Sequence, residues 1–107
     1  MKEITQYRQG DVLLEKIAQP MNASRMRKSR RVKQRLILGK GEATGHAHTV
    51  HDESASLYLR GIERILEVVN PCDLQHEQHS SVALEPGFYR VIRQREYREG
   101  WDFAVQD

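Results

Sequence analysis

Histidine is the residue type whose spacing in this sequence points most directly to chemistry. Three of the five histidines lie within six residues of one another, and His76 and His79 form a second short group. Side chains of an extended strand alternate between two faces, so His46 and His48 are predicted to share one face. Adjacent imidazoles favour a divalent transition metal (Zn, Fe, Ni, Mn or Cu), and they also suit proton transfer near neutral pH.

The second histidine group is predicted to complete that site. His76 and His79 are three residues apart, so on a straight strand they point to opposite faces and only one can join His46 and His48. We predict that His79 is the one that joins, because a β-prone segment follows it directly. A turn at this position would instead bring both rings inward. His51 has an odd offset from His46 and His48 and is predicted to face the other side.

Length and composition restrict the class of protein. A chain of 107 residues with 38% hydrophobic and 30% charged residues is typical of one soluble globular domain with one modest core. No stretch is apolar and long enough to span a membrane, and the first residues lack the apolar region of a signal peptide. The single cysteine, Cys72, suits a reducing cytoplasm and is predicted to be a packing residue.

A strongly basic segment interrupts the otherwise acidic chain. Seven positive charges and no acid fall within residues 25–35, whereas the rest of the chain holds ten basic and fifteen acidic residues. We predict a basic loop over about residues 18–34, which is either a solvated, self-repelling segment or a surface that binds the phosphates of nucleic acid. The seven residues are Arg25, Arg27, Lys28, Arg30, Arg31, Lys33 and Arg35.

Short apolar runs separated by Gly, Pro and Asn predict an all-β fold, built as a single antiparallel barrel or roll over residues 1–107. The last of these runs carries Trp101 and Phe103 on one face, which packs into the core or forms a homodimer interface. The predicted strands lie near residues 12–14, 35–38, 46–50, 57–59, 65–69, 82–84, 88–95 and 101–105.

Residues 41–61 resemble the first motif of the cupin superfamily, a Gly, five residues, His-x-His, three or four residues, Glu, six residues and Gly. His46 and His48 supply the His-x-His, and Glu53 follows after four residues, whereas the glycines at 41 and 61 are each displaced by one residue. The second motif, a Pro-x-Gly turn followed by His, has no counterpart after Pro86. The resemblance implies a small β-barrel and metal-ligand roles for His46, His48 and Glu53, with a later histidine as the remaining ligand.

These patterns lead to one main functional hypothesis and two alternatives. The main hypothesis is a divalent metal held by His46, His48, Glu53 and His76 or His79, in a protein that acts on a small or phosphorylated ligand. The alternatives are a non-catalytic nucleic-acid-binding module and a metal-independent, histidine-based phosphoesterase. For the last, the sequence His-Ser-Ser at 79–81 resembles the His-x-Ser element of such enzymes. A further set of side chains lines a pocket for an anionic ligand or forms a solvated strand face: Tyr89, Arg93, Arg95 and Tyr97.

Overall fold

The computed structural model of the chain describes residues 6–21, 25–41, 44–98 and 101–104. Within these ranges the regular structure consists of β-strands, and no α-helix is present. No helix long and apolar enough to cross a membrane occurs in the described part of the chain. The strands are β1 (Gln6–Gln9), β2 (Val12–Ile17), β3 (Arg27–Lys28), β4 (Leu36–Lys40), β5 (Ala47–Val50), β6 (Ser56–Arg60), β7 (Glu63–Val68), β8 (Cys72–Gln75), β9 (Val82–Leu84), β10 (Gly87–Arg93), β11 (Arg95–Arg98) and β12 (Trp101–Ala104).

Two antiparallel sheets form the body of the protein. One has six strands in the order β1-β2-β10-β7-β6-β3, the other has four in the order β4-β5-β8-β9, and β11 and β12 form a separate two-stranded ribbon. The all-β prediction is therefore confirmed. The described strands do not close into a barrel, because each sheet ends on an edge strand, with β1 and β3 bounding the larger sheet and β4 and β9 the smaller.

The hydrophobic core draws on strands of both sheets. Alternate residues of β2 and β10 turn inward, so that Val12, Leu14, Tyr89 and Val91 are buried. Their partners in the core are Leu57, Leu66 and Val68 from the six-stranded sheet, and Leu36, Leu38, Val50, Leu74 and Leu84 from the four-stranded sheet. The apolar runs of the sequence thus form the shared interior that holds the polar residues described below.

A two-residue turn joins β1 to β2 and places two polar side chains close together. Gln9 pairs with Val12, which leaves Gly10 and Asp11 as the turn. Gly10 has φ 56°, the positive value required at the first central position of a type II′ hairpin turn, which glycine adopts without strain. Gln9 and Asp11, on either side of this glycine, are both buried.

The basic segment, residues 25–35, contains more regular structure than the loop predicted for residues 18–34. β3 pairs with β6 at the edge of the larger sheet, and the Ser29 N–H donates to the Leu57 carbonyl at 2.7 Å. A tight turn follows, in which Lys33 and Gln34 have φ 53° and 67°, as in a type I′ turn. Residues 22–24 of the predicted loop lie outside the described residues.

Candidate functional site

His48 lies at the centre of the buried polar residues. It belongs to β5, which pairs with β4 on one side and β8 on the other, and its side chain is only 1% exposed. The residue opposite it on β4 is Gly39, next to an irregularity in the strand register. A Cβ atom at Gly39 would lie 3.4 Å from Cδ2 of His48 and 2.9 Å from Cγ2 of Val12. The glycine therefore provides the space that the imidazole occupies.

The side-chain amide of Gln9 orients one edge of this imidazole. Its Nε2 donates to the backbone carbonyls of Leu74 and Ser80, both at 2.9 Å. The two carbonyls can only accept, so the amide oxygen is the atom that faces Nδ1 of His48, at 2.8 Å. Nδ1 of His48 therefore carries a proton and donates it to Gln9.

The carboxylate of Asp11 faces the other ring nitrogen of His48. Its Oδ1 lies 3.1 Å from Nε2 of His48, and its Oδ2 accepts a hydrogen bond from Nε of Arg93 at 2.6 Å. Burial raises the pKa of Asp11, but the hydrogen bonds and charges of Arg93 and His48 outweigh it and hold the pKa below its usual value. Asp11 is therefore an anion, 1% exposed, between two nitrogen donors.

His76 and His79 lie in a bend between β8 and β9, and both rings join His48. The centroid of the His48 ring is 4.4 Å from that of His76 and 5.9 Å from that of His79, and the His76 and His79 centroids are 4.6 Å apart. The prediction that a strand would admit only one of the two is therefore wrong. The cause is the bend, in which Nδ1 of His76 accepts the backbone N–H groups of Gln78 and His79.

His46 completes the group, which we call the histidine cluster: His46, His48, His76 and His79. It directly precedes β5, and its ring packs edge-on against that of His76 with centroids 5.7 Å apart. Its backbone is held by the Gly41 N–H, which donates to the His46 carbonyl at 2.8 Å, and by Oγ1 of Thr44, which accepts from the His46 N–H. The four rings thus come from β5 with its preceding loop and from one bend.

Glu77 attaches the bend to the start of β5. Its Oε1 accepts the Ala47 N–H at 2.8 Å, and this hydrogen bond is the main reason that its pKa lies below the usual value. A cleft of about 220 Å³ opens at this place, lined by His76, Glu77 and residues of β5 and β8. The cleft gives solvent a path toward the His76 edge of the histidine cluster.

The donor atoms present are of the kind that hold a divalent transition metal. Imidazole nitrogen and carboxylate oxygen bind such ions at about 2.0–2.2 Å, so two donors on one ion lie about 3 Å apart. The 3.1 Å between Nε2 of His48 and Oδ1 of Asp11 satisfies this condition. The Nδ1–H of His48 donates to Gln9, as metal-ligating histidines donate their second nitrogen to an acceptor. Among the described residues, no group of three or more His, Cys, Asp or Glu side chains is arranged to hold a metal ion.

Glu53, predicted as a metal ligand, lies elsewhere. It is exposed in the turn beyond the far end of β5, away from His46. His51, predicted to face away from His46 and His48, is exposed, contacts Oγ1 of Thr49 through Nε2 at 3.1 Å, and lines the same cleft as His76. Cys72 packs against the core, where burial and the charges of Asp52 and Asp73 raise the pKa of its thiol, consistent with a packing role.

The predicted nucleic-acid-binding residues occupy the edge of the larger sheet. Five of the seven are exposed, namely Arg25, Arg27, Lys28, Arg30 and Lys33. Arg31 is partly buried and donates to the carbonyls of Gln34, Asp52 and Ala55, at 3.0, 2.6 and 2.8 Å. Arg35 contacts the Val32 carbonyl at 3.3 Å. Binding of nucleic acid by this segment stays a prediction.

Two residues of the candidate site, Gln9 and Asp11, were not identified from the sequence, and a third, Arg93, was predicted only as a residue that lines a pocket. The sequence feature that could have indicated Gln9 and Asp11 is the tripeptide Gln-Gly-Asp, which directly precedes the apolar run of β2. Polar residues on both sides of a turn glycine usually indicate an exposed turn. Only the contact between Asp11 and Arg93, which are 82 residues apart, shows that this turn is buried.

The protein is therefore an all-β protein of two antiparallel sheets, with partly buried histidines and Arg93 grouped around the buried side chains of His48 and Asp11. It belongs to the family described as domain of unknown function DUF8820, whose model matches residues 8–94. This range includes the histidine cluster, Gln9, Asp11 and Arg93. No curated protein and no solved structure matches the chain.

Proposed function

We propose that the protein binds one divalent transition metal ion through His48 and Asp11, with His76 and His79 as further ligands. The observation that carries this proposal is the geometry of His48. Its Nδ1 donates to the amide oxygen of Gln9, whose orientation is fixed by the two hydrogen bonds of its NH₂ group. Its Nε2 lies 3.1 Å from the buried carboxylate of Asp11. The hydrogen bond from Nδ1 of His48 to Gln9 selects the tautomer and orientation that a ligating imidazole needs.

The rings of His76 and His79 supply the remaining nitrogens. Their Nε2 atoms are buried, and both rings lie within 5.9 Å of the His48 ring, measured between centroids. No three described side chains are already arranged around one point, and Nδ1 of His76 accepts two backbone N–H groups, which leaves the proton on its Nε2. Binding therefore requires these rings to rotate and His76 to exchange those two hydrogen bonds for the metal. The ring of His46 packs against that of His76, which lines the cleft, so we propose that His46 reaches a molecule bound there through this contact.

A bound ion would supply Lewis-acid chemistry or a metal-bound hydroxide toward a small or phosphorylated substrate. The chain's own residues then have separate tasks. Gln9 orients His48, Arg93 holds Asp11 in its charged form, and Glu77 keeps the bend against β5. We assign His46 the task of contacting the substrate.

Elemental analysis of untagged protein tests the proposal most directly. We expect about one transition metal ion per chain after incubation with Zn²⁺, Fe²⁺, Ni²⁺, Mn²⁺ or Cu²⁺ and dialysis. The double variant His76→Ala/His79→Ala should retain less than about one tenth of that amount, because imidazole supplies much of the affinity. His51→Ala is the matched control, since His51 lines the same cleft as His76 but is not one of the proposed ligands.

Circular dichroism spectra of the variants should show the same β signal as the parent protein. Metal content that is unchanged in the double variant, or lost equally in His51→Ala, would contradict the proposal. A parent protein that takes up none of the five ions would also contradict it.

A second candidate is the metal-independent histidine-based phosphoesterase, and one observation favours it. Both ring nitrogens of His48 face acceptors, so in the absence of a metal the ring holds two protons and forms an ion pair with Asp11. This pair stores a proton beside the rings of His76 and His79. Hydrolysis of a phosphodiester by protein treated with a chelator, abolished by His79→Ala but not by His51→Ala, would support this second candidate over the first.

A further inference from the structure

A groove of about 490 Å³ lies where β7 and β10 stop pairing. Their antiparallel ladder runs from Gly87 opposite Val68 to Arg90 opposite Ile65 and ends there. Both strands extend beyond this last pair, β10 as far as Arg93 and β7 as far as Glu63, but they no longer pair there. A gap is therefore left between them at this end of the sheet. A volume of this size accommodates a small organic molecule.

Arg64 contributes an uncompensated positive charge to this groove. Its side chain is partly buried, and it makes no hydrogen bond or ion pair with any described residue. Burial, and then the nearby charge of Arg93, lower the pKa of its guanidinium from the usual value. A guanidinium stays protonated even so, which means that the charge is held in place at a cost in free energy.

Arg93 lines the same groove and connects it to the histidine cluster. Side-chain alternation beyond the last pair, Arg90 and Ile65, puts Arg64 and Arg93 on the same face of the two strands, and both line the groove. Arg93 donates to Asp11 through Nε, and Asp11 is already shared with His48. Among the side chains that the structure describes, the positive charges at this place therefore exceed the negative ones, which favours an anionic ligand.

The walls of the groove are partly apolar. Ile62 lies in the turn between β6 and β7, and its side chain is fully exposed at 102%, while Ile92 lies on β10. Glu63 also lines the groove but makes no ion pair with Arg64. Arg90, the third arginine of the groove, pairs with Glu15 at 3.2 Å. Arg64 and Arg93 are thus the cations left for a ligand.

We infer that this groove binds a small organic phosphomonoester, with the phosphate between Arg64 and Arg93 and the organic group against Ile62, which lines the groove on the same face. Planar guanidinium groups bind phosphate oxygens through paired, charge-assisted hydrogen bonds. A dianionic phosphate also offsets more of the excess charge than a carboxylate would. The inference concerns residues outside the proposed metal ligands and does not require a bound metal.

Titration of the metal-free, full-length chain, followed by amide NMR, tests this inference. The probes are phenyl phosphate, inorganic phosphate and acetate at constant ionic strength. We expect phenyl phosphate to bind most tightly and acetate most weakly. Arg64→Gln should weaken binding of both phosphates about tenfold or more, because it removes a charge-assisted contact. Arg60→Gln, an exposed arginine of the neighbouring β6 outside the groove, should bind as the parent does.

Two further variants keep the outcome interpretable. Arg64→Lys retains the charge and should recover part of the affinity, which a folding defect at this position would not allow. Ile62→Ser should weaken binding of phenyl phosphate but leave inorganic phosphate unchanged. Equal affinities of Arg64→Gln and Arg60→Gln, acetate binding as tight as phosphate, or an Ile62→Ser variant that still prefers phenyl phosphate would each overturn the inference.

Discussion

The histidine cluster and the basic segment, residues 25–35, are both dense in one kind of side chain, but the fold treats them differently. The rings of the histidine cluster come from two separate parts of the chain and are held by side chains from two more, Gln9 and Arg93. The basic segment forms one edge strand and one turn, and most of its charged side chains face solvent. Within it, only Arg31 makes several hydrogen bonds to distant residues.

The two regions differ in how far their side chains depend on one another, although both contain many residues of one type. In the histidine cluster, replacing one residue leaves a buried partner without its hydrogen bond or its counter-charge, which is expensive. In the basic segment, most charges can be removed singly without such a consequence, because water already solvates them. Function that needs preorganised groups is therefore better placed in the first region, whereas the second region suits an additive electrostatic contact.

The largest effect is expected from Asp11→Ala, which tests the coupling of the histidine cluster. The substitution leaves the charges of His48 and Arg93 buried without their shared counter-charge, so we expect a loss of about 3–5 kcal/mol in the free energy of unfolding. Urea denaturation measures the loss. Asp73→Ala, an exposed aspartate on β8, should change stability by no more than about 0.5 kcal/mol. Similar losses in the two variants would remove the distinction between the regions.

Gly39→Ala should have the next largest effect, because it crowds the space of the His48 ring. The added methyl group would lie 2.9 Å from Cγ2 of Val12, which must therefore move, and 3.4 Å from Cδ2 of His48, so the shift occurs directly beside the ring. Overpacking of this kind costs about 1–3 kcal/mol. The denaturation midpoint should fall, and the NMR signals of the His48 ring should shift. A variant with an unchanged midpoint and unchanged ring signals would show that the site tolerates displacement.

Arg31→Ala sharpens the comparison from the side of the basic segment. The variant loses the donor to the carbonyls of Asp52 and Ala55 and should lose about 1–3 kcal/mol of stability. Its neighbour Arg30 is exposed, so Arg30→Ala should cost no more than about 0.5 kcal/mol. Trypsin should also cleave the segment faster in Arg31→Ala than in Arg30→Ala. Equal cleavage rates would mean that the anchor does not order the segment.

The smallest effect is expected from the carboxylate of Asp52, in the turn that anchors Arg31. The hydroxyl and backbone N–H of Ser54 donate to this carboxylate and hold its pKa below the usual value. A carboxyl with a lowered folded-state pKa stabilises the fold above its unfolded-state pKa, and that contribution disappears as the pH falls through the folded-state value. Asp52→Asn should therefore show a slightly flatter decline in stability below about pH 4 than the parent. Identical acid denaturation curves would argue against this linkage.

The sequence was informative about the strands and about which residue type forms the site. The apolar run at Val12–Leu14, the β-branched run at Ile65–Val69 and the segment at His46–Val50 all lie within or beside strands of the structure. Those runs are local, and their alternation or composition is enough to define a strand. The order of the strands in two separate sheets is not local, and a barrel and two unclosed sheets have the same local pattern.

The partners of the histidines could not be predicted in the same way. His76 and His79 lie in a bend, and the backbone hydrogen bonds to Nδ1 of His76 that shape it have no signature in residue spacing. Arg64 likewise could not be distinguished in the sequence from other charged residues on strands, because the groove forms where the β7–β10 pairing ends. Side chains of Arg95 and Tyr97, predicted at the mouth of a pocket, and of Trp101 and Phe103 fall outside the described part of the structure.

The hydrogen bonds that hold His48 have a consequence for the order of folding events. The bonds from Gln9, Asp11 and Arg93 join residues 37 to 82 positions apart in the chain. Contacts between distant positions carry the largest loop-closure entropy and form slowly. We expect the ring signals of His48 to reach their native positions only in the final phase of refolding, after the β6–β7 hairpin has formed, as time-resolved NMR would show. The candidate site thus exists only in molecules in which the β1–β2 turn has already met both β5 and the end of β10.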